Sequence, residues 1–213
     1  MTDVDDVIMS YELDRKNLMS AFFADDDISS IMRCYSEADV AANHVLSKLA
    51  HKGFEPKESK LRYLSEKLEV AELLGVHTNF IAPLRAHNKH RNKFAHGNQR
   101  LIKGTQLDEL HQLVRKAVPV FGDDFRFRLE RGDYFESPYS QLTPRQKYVG
   151  NMMMAISSFA VVPDLKPKVA TLVAHGMIAG LTVSTLLSSG FCSAPRSNPV
   201  ASCKSQPARQ FAR

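Results

Sequence analysis

The segment Leu84–Arg100, LRAHNKHRNKFAHGNQR, concentrates residue types that bind anions and transfer protons. It holds three histidines and four lysines or arginines before Arg100, and it contains no acid. Arginine pairs with phosphate oxygens and stays charged at physiological pH, and histidine titrates near neutrality. Because a guanidinium buried without a partner is costly, this segment is expected either to meet an acid from another helix or to face an anion.

One face of the predicted helix changes character along its length. At spacings of 3, 4, 3 and 4 it carries Ile81, Leu84, Asn88, Arg91 and Ala95. Asn92 and His96 are four residues apart and share a face, whereas Arg91 lies about 140° from His96 on an ideal helix. Arg91 and His96 therefore converge only if the last turn is distorted, or if a second copy of the helix brings its own pair alongside.

A plainer interpretation of the same residues concerns the end of the helix. His96 immediately precedes Gly97, a residue type that commonly ends helices. Positive charge on His96, Lys93 and Arg91 would be favoured by the helix dipole at that end. On spacing alone, this structural role is favoured over an anion site.

The surrounding sequence predicts a mainly helical domain. Apolar periodicity favours helices over residues 27–50, with Asp27 as the N-cap, over 61–75, ending at Gly75, and over 105–118. The basic helix begins near Thr78 or at Pro83 and ends at residue 95 or 96. Alternation of Phe125, Phe127 and Leu129 with charged residues predicts a short β-hairpin insertion near 120–140, and these phenylalanines are expected in the core. Thr143-Pro144 then opens a helix running to about residue 161.

Charge and hydropathy divide the chain further. Residues 1–27, an acidic lead with one short helix, hold eight acids and two bases, a net of −6, whereas 84–107 hold six bases and no acid, a net of +6. The helical domain is expected to cover 28–162, an apolar C-terminal helix 163–192, and a disordered basic tail 193–213. Val169–Cys192 is long enough to span a bilayer, but its glycines, serines and threonines make a buried or partner-covered helix the favoured interpretation.

Cysteine usage and the N-terminus bear on location and cofactors. The three cysteines are widely spaced and form no CxxC pair, so neither a disulfide framework nor a zinc site is indicated. The acidic N-terminus lacks the pattern of a secretory signal. A cytoplasmic protein without a metal or another cofactor is expected.

Other polar residues have alternatives that the sequence leaves open. His87 and His90 either contact RNA or, as the favoured interpretation, are solvated on a basic face. Glu37 either pairs with Arg91 across the bundle or lies on the surface. The remaining basic residues of the segment either follow a nucleic-acid backbone or form a solvated face; they are Arg85, Lys89, Lys93, Arg100 and Lys103. Met152–Met154 are expected to fill the core.

The string RNKFAH resembles the signature of the HEPN superfamily. In more detail, YLSEKLEVAELLGV followed by LRAHNKHRNKFAHG is similar to the mannitol operon repressor (MltR-type) branch. The resemblance covers about residues 28–118. It implies an all-α, HEPN-like helical bundle that dimerises with the motifs face to face, as in many metal-independent ribonucleases. By position, Arg91 and His96 would be catalytic, and Asn92 would orient them.

The function expected from this resemblance is endoribonuclease activity. RNA cleavage by its own 2′-hydroxyl needs a base, an acid and a cation, which histidine and arginine can supply without a metal. A homodimer that cuts RNA in a toxin or defence role, controlled by an antitoxin or another regulatory protein, is one hypothesis. A non-catalytic, MltR-like transcriptional regulator acting through protein contacts or operator DNA is the alternative. A membrane-attached form through Val169–Cys192 is the third.

Overall fold

The computed structural model describes residues 11–50, 61–97, 99–131 and 133–165, and these form a helical bundle with one hairpin. The helices are α1 (Arg15–Phe22), α2 (Asp27–Leu49), α3 (Leu64–Leu73), α4 (Thr78–His96), α5 (Gly104–Ala117) and α6 (Pro144–Ala160). Strands β1 (Arg126–Arg131) and β2 (Asp133–Pro138) precede a single 3-10 turn, Tyr139–Gln141. The mainly helical fold and the hairpin near 120–140 are therefore confirmed.

Local hydrogen bonds explain where the helices begin and end. Asp26 accepts from the Ser29 N–H at 2.8 Å, so the N-cap of α2 is Asp26, one residue before the predicted Asp27. Thr143 caps α6 and is joined to Gln146 in a capping box, as predicted. Gly75 has a φ of 86°, which favours glycine, and it follows the end of α3 as expected.

Helix α6 is the centre of the bundle. It packs against α1, α2, α4 and α5, and from Tyr148 to Ala160 every residue except Ser157 is buried. Met152–Met154 lie in the core, as predicted. A helix buried on every side must be apolar all round or have its polar groups paired. Asn151 meets this condition because its amide donates to the Tyr139 hydroxyl and to the Lys147 carbonyl, each at 2.8 Å.

The core extends into the acidic lead. Leu18, Met19, Ala21 and Phe22 of α1 are buried against the rest of the bundle. The expected domain boundary at residue 28 therefore leaves out a helix that belongs to the same core. The few apolar residues of this short, mostly polar segment did not indicate that α1 belongs to the core. A helix this short gains its stability from packing rather than from its own length.

The hairpin closes one side of the core. Its antiparallel register pairs Arg126 with Pro138 and Leu129 with Phe135. Phe127 and Leu129 are buried and Phe125 packs partly buried against the core, which confirms the predicted role of the two phenylalanines.

A partly buried ion pair joins distant parts of the chain. The Asp27 carboxylate accepts from Arg145 Nε at 2.6 Å and from the Ile102 N–H at 2.8 Å. This single side chain therefore links the start of α2, the connection before α5 and the first turn of α6.

The predicted apolar helix 163–192 and basic tail 193–213 lie, apart from residues 163–165, outside the described residues. Within the described ranges, no helix combines the length and the apolar character needed to cross a bilayer. Cys34 is buried as a free thiol, and burial raises its pKa to about 12.

Candidate functional site

The basic segment lies on α4, which is one continuous helix. Its first residue is Thr78, so the helix starts at the earlier of the two predicted positions and Pro83 lies inside it. Its last turn is regular, because the Gly97 N–H donates to the Lys93 carbonyl at 2.9 Å. A distorted last turn, which would let Arg91 and His96 meet within one chain, is therefore absent from this helix.

Arg91 and His96 occupy different environments. His96 is exposed, whereas Arg91 is partly buried. They are five residues apart on a regular helix, so their side chains point about 140° apart around the helix axis. The two side chains of a single chain thus diverge, and only a second copy could bring an Arg91 and a His96 together.

The Arg91 guanidinium is held by a ring and by a neighbouring amide. Its Cζ lies 4.6 Å from the centroid of the Tyr35 ring, in a cation–π contact with α2. Its Nη1 donates to Asn92 Oδ1 at 3.2 Å, which places Asn92 beside Arg91. Among the described residues, its buried Nε–H has no hydrogen-bond partner.

Glu37 is not the partner of Arg91. It is buried, and it accepts from the Tyr11 hydroxyl at 2.6 Å and from the Asp14 N–H at 3.1 Å. Both expectations for Glu37, a pair with Arg91 or a surface position, are wrong. The residues before α1 supply its donors, and no periodicity in the sequence indicates such a contact.

Acids from neighbouring helices partly neutralise the basic segment. Arg85 pairs with Glu72 of α3 at 2.7 Å, and Lys89 lies 3.9 Å from Glu109 of α5. These pairs are substantially exposed and contribute little to stability, but they reduce the charge available in the middle of α4. Lys93, Arg100 and Lys103 are exposed.

His87 and His90 are buried, so the prediction that they are solvated is wrong. Both are 0% exposed, and their Nδ1 atoms lie 2.9 Å and 3.1 Å from the hydroxyl of Tyr148 on α6. The second nitrogen of His90, Nε2, lies 3.3 Å from Glu109 Oε2. The hydroxyl satisfies one polar atom of each ring, which allows both histidines to enter the core.

The contacts around Tyr148 have one consistent arrangement of protons. The Glu109 carboxylate accepts, so His90 Nε2 carries the hydrogen. Burial lowers the pKa of His90, which is then neutral, and its bare Nδ1 accepts from the Tyr148 hydroxyl. Burial raises the pKa of Tyr148, which keeps its proton.

The same arrangement fixes the state of His87. Since the single Tyr148 proton goes to His90, the Tyr148 oxygen accepts from His87 Nδ1–H. Burial lowers the pKa of His87 to about 3, so the ring is neutral and its Nε2 presents a lone pair. This Nε2 is buried and has no hydrogen-bond partner among the described residues.

The buried face of α4 differs from the face that the sequence predicted. The buried face continues from Leu84 through His87 and His90 to Phe94, rather than through Asn88, Arg91 and Ala95. The spacing of 3, 3 and 4 is also helical, and it could have indicated that these histidines are core residues. Tyr148 could not have been found as their partner, because it lies 58 residues beyond His90.

Metal ligation is not supported by the described side chains. In the ranges that the structure covers, no group of three or more His, Cys, Asp or Glu side chains is arranged to hold a metal ion.

Comparisons of the chain with family models, with curated proteins and with solved structures found no significant match in any of the three.

Proposed function

We propose that the protein is a cytoplasmic, homodimeric, metal-independent endoribonuclease of HEPN type, with a toxin or defence role. RNA is cut by attack of its own 2′-hydroxyl. His96 transfers protons, Arg91 stabilises the phosphorane, and Asn92 orients Arg91. The observation that carries the proposal is the end of α4, where the exposed His96 follows an Arg91 side chain that Asn92 already holds by a hydrogen bond.

The directions of the two side chains support the proposed dimer. Arg91 and His96 of one chain diverge by about 140° along a regular helix. Two α4 helices related by a two-fold axis present Arg91 of one chain to His96 of the other, twice. A site built in this way is incomplete in a monomer.

The basic residues near the end of α4 supply contacts to the phosphate backbone. Lys93, Arg100 and Lys103 are exposed and lie around this end of the helix. Lysine and arginine contacts of this kind give affinity that falls as salt rises and that is independent of sequence.

A second candidate is a non-catalytic, MltR-like regulator that acts through protein or operator contacts. It is favoured by the environment of Arg91, whose guanidinium stacks on Tyr35 and whose Nε is buried. In that case Arg91 joins α4 to α2, and His96 is a favourable charge at a helix end.

The first experiment measures cleavage of structured RNA by the purified chain in EDTA. His96→Asn abolishes cleavage if His96 transfers protons. His77→Asn is the matched control, because His77 lies at the other end of α4 and asparagine also serves as an N-cap. Absence of cleavage by the wild-type protein, together with a gel shift on DNA, would support the regulator instead.

The second experiment mixes Arg91→Ala and His96→Asn proteins, each inactive alone. Half of the randomly formed dimers are mixed, and each of these has one intact site of two, so activity returns to roughly a quarter of the wild-type value. A mixture that stays inactive, although subunit exchange is demonstrated, would contradict a shared site.

A further inference from the structure

Two buried polar atoms of opposite character lie on the same face of α4. His87 Nε2 is an acceptor, as the hydrogen-bond chain through Tyr148 requires, and Arg91 Nε–H is a donor. Neither atom has a hydrogen-bond partner among the described residues. Buried polar atoms in native proteins are nearly always paired, so this pair points to a bound group.

The two atoms belong to one small region of the structure. His87 and Arg91 are one helical turn apart, so their side chains are neighbours. Both also border the ring of Tyr35, whose centroid lies 6.4 Å from the His87 ring and 4.6 Å from Arg91 Cζ. The Tyr35 ring therefore lies close to both side chains.

We propose that His87 Nε2 and Arg91 Nε together bind one hydroxyl group, and that this group is the 2′-hydroxyl of an RNA nucleotide. The hydroxyl oxygen accepts a hydrogen bond from Arg91 Nε–H, and the hydroxyl O–H donates a hydrogen bond to His87 Nε2. That the hydroxyl belongs to RNA rests on the proposed function. That the two atoms bind a hydroxyl group rests on their hydrogen-bonding character alone.

The chemistry of the pair selects a hydroxyl over other groups. A phosphate or carbonyl oxygen only accepts, so it would satisfy Arg91 but place its lone pairs against that of His87. An ammonium group only donates and would be repelled by the guanidinium. A hydroxyl both donates and accepts, and the 2′-hydroxyl is the group by which proteins distinguish RNA from DNA.

Access to the pair depends on the mobility of the Arg91 side chain. Arg91 is partly exposed, and the structure shows it held by the face of Tyr35 and by Asn92 of its own helix. Within the described residues, no carboxylate pairs with it. In the proposed binding step the guanidinium moves away from the ring, the nucleotide enters beside His87, and Arg91 Nε–H then donates to its hydroxyl.

The experiment measures binding rather than cleavage, on a His96→Asn background that prevents turnover. Fluorescence anisotropy compares single-stranded RNA with DNA and with 2′-O-methyl RNA of the same sequence. DNA lacks the 2′-hydroxyl, and in 2′-O-methyl RNA a methyl group replaces the hydroxyl hydrogen. We expect RNA to bind roughly fivefold to tenfold more tightly than either, the value of one or two hydrogen bonds.

Two variants test the assignment to His87 and Arg91. His87→Phe keeps an aromatic ring but removes the acceptor, and Arg91→Lys keeps the charge but removes the Nε–H. Each should lower the RNA-to-DNA affinity ratio clearly, because each removes one of the two hydrogen bonds to the hydroxyl, whereas the His77→Phe control leaves the ratio unchanged. Circular dichroism checks the fold, and Arg91→Lys decides the question if His87→Phe does not fold.

The outcomes separate this inference from the nuclease proposal. An affinity ratio that persists in Arg91→Lys and in folded His87→Phe would overturn the hydroxyl site, even if RNA is cleaved with His96. A wild-type ratio near one would overturn it as well. A ratio that depends on both residues, in a protein that cuts no RNA, would support the hydroxyl site and refute the nuclease.

Discussion

Replacing Tyr148 by phenylalanine tests the hydrogen-bond arrangement at the centre of the bundle. The change removes one oxygen and leaves two histidine nitrogens, Nδ1 of His87 and Nδ1 of His90, buried without that partner. Leaving a buried polar group unsatisfied costs about 1 to 3 kcal/mol. We therefore expect Tyr148→Phe to lower the free energy of unfolding by about 2 to 4 kcal/mol, after partial relief by tautomer changes.

The matched control is Tyr139→Phe. The Tyr139 hydroxyl accepts from the amide of Asn151, and that amide also donates to the Lys147 carbonyl. Removing this hydroxyl leaves the Asn151 amide with a partner, so the expected loss is about 1 kcal/mol. The difference in unfolding free energy between the two variants therefore measures the effect of one hydroxyl that is hydrogen-bonded to two buried histidine rings.

The assay is urea unfolding followed by circular dichroism, with the thermal midpoint as a second measure. For a chain of this size, a loss of 3 kcal/mol lowers Tm by about 6 to 12 °C. NMR of the histidine nitrogens in the wild-type protein identifies the tautomer of each ring, which unfolding measurements do not. We expect the Nδ1–H tautomer for His87 and the Nε2–H tautomer for His90. Equal stability of the two variants, or the same tautomer at both histidines, would refute the proton arrangement.

Two further predictions concern the same core. Because the pKa of His87 is lowered to about 3, the unfolded chain binds a proton between pH 6.5 and 3 that the folded chain does not. The free energy of unfolding therefore has its full value above pH 6.5 and decreases as the pH is lowered, by on the order of 2 kcal/mol at pH 5. Unfolding titrations should show this slope, and a slope unchanged in His87→Phe would count against it. Gly150→Ala should destabilise the protein by about 1 to 2 kcal/mol, because a Cβ there would lie 2.7 Å from Phe127 Cζ. Gly104→Ala, where a Cβ meets nothing within 4 Å, is the control, and a gain in thermal stability for Gly150→Ala would contradict the close contact.

Local signals predicted most of the helices. The capping residues before α6, the glycine after α3 and the apolar periodicity of α2 and α5 each depend on neighbours within a few residues. The hairpin was also visible, because Phe127 and Leu129 alternate with charged residues. These features were recoverable because the forces that produce them act over one or two turns of the chain.

The environment of the candidate site was not recoverable in the same way. Whether His87 is solvated or buried depends on Tyr148, 61 residues further along the chain. Glu109 lies on the next helix, and Tyr35 on a helix before α4. A single sequence gives residue types and their spacing, but these pairings follow from how the helices pack, and so the histidines were assigned to the wrong face.

The position of α6 has a consequence for synthesis on the ribosome. This helix comes last among the described elements, yet it fills the middle of the bundle and contacts four helices made before it. A nascent chain that has not yet exposed α6 therefore has helices that contact one another but leave open the apolar faces that α6 covers. The core is complete only when α6 has emerged, and until then those faces are available to chaperones or to aggregation.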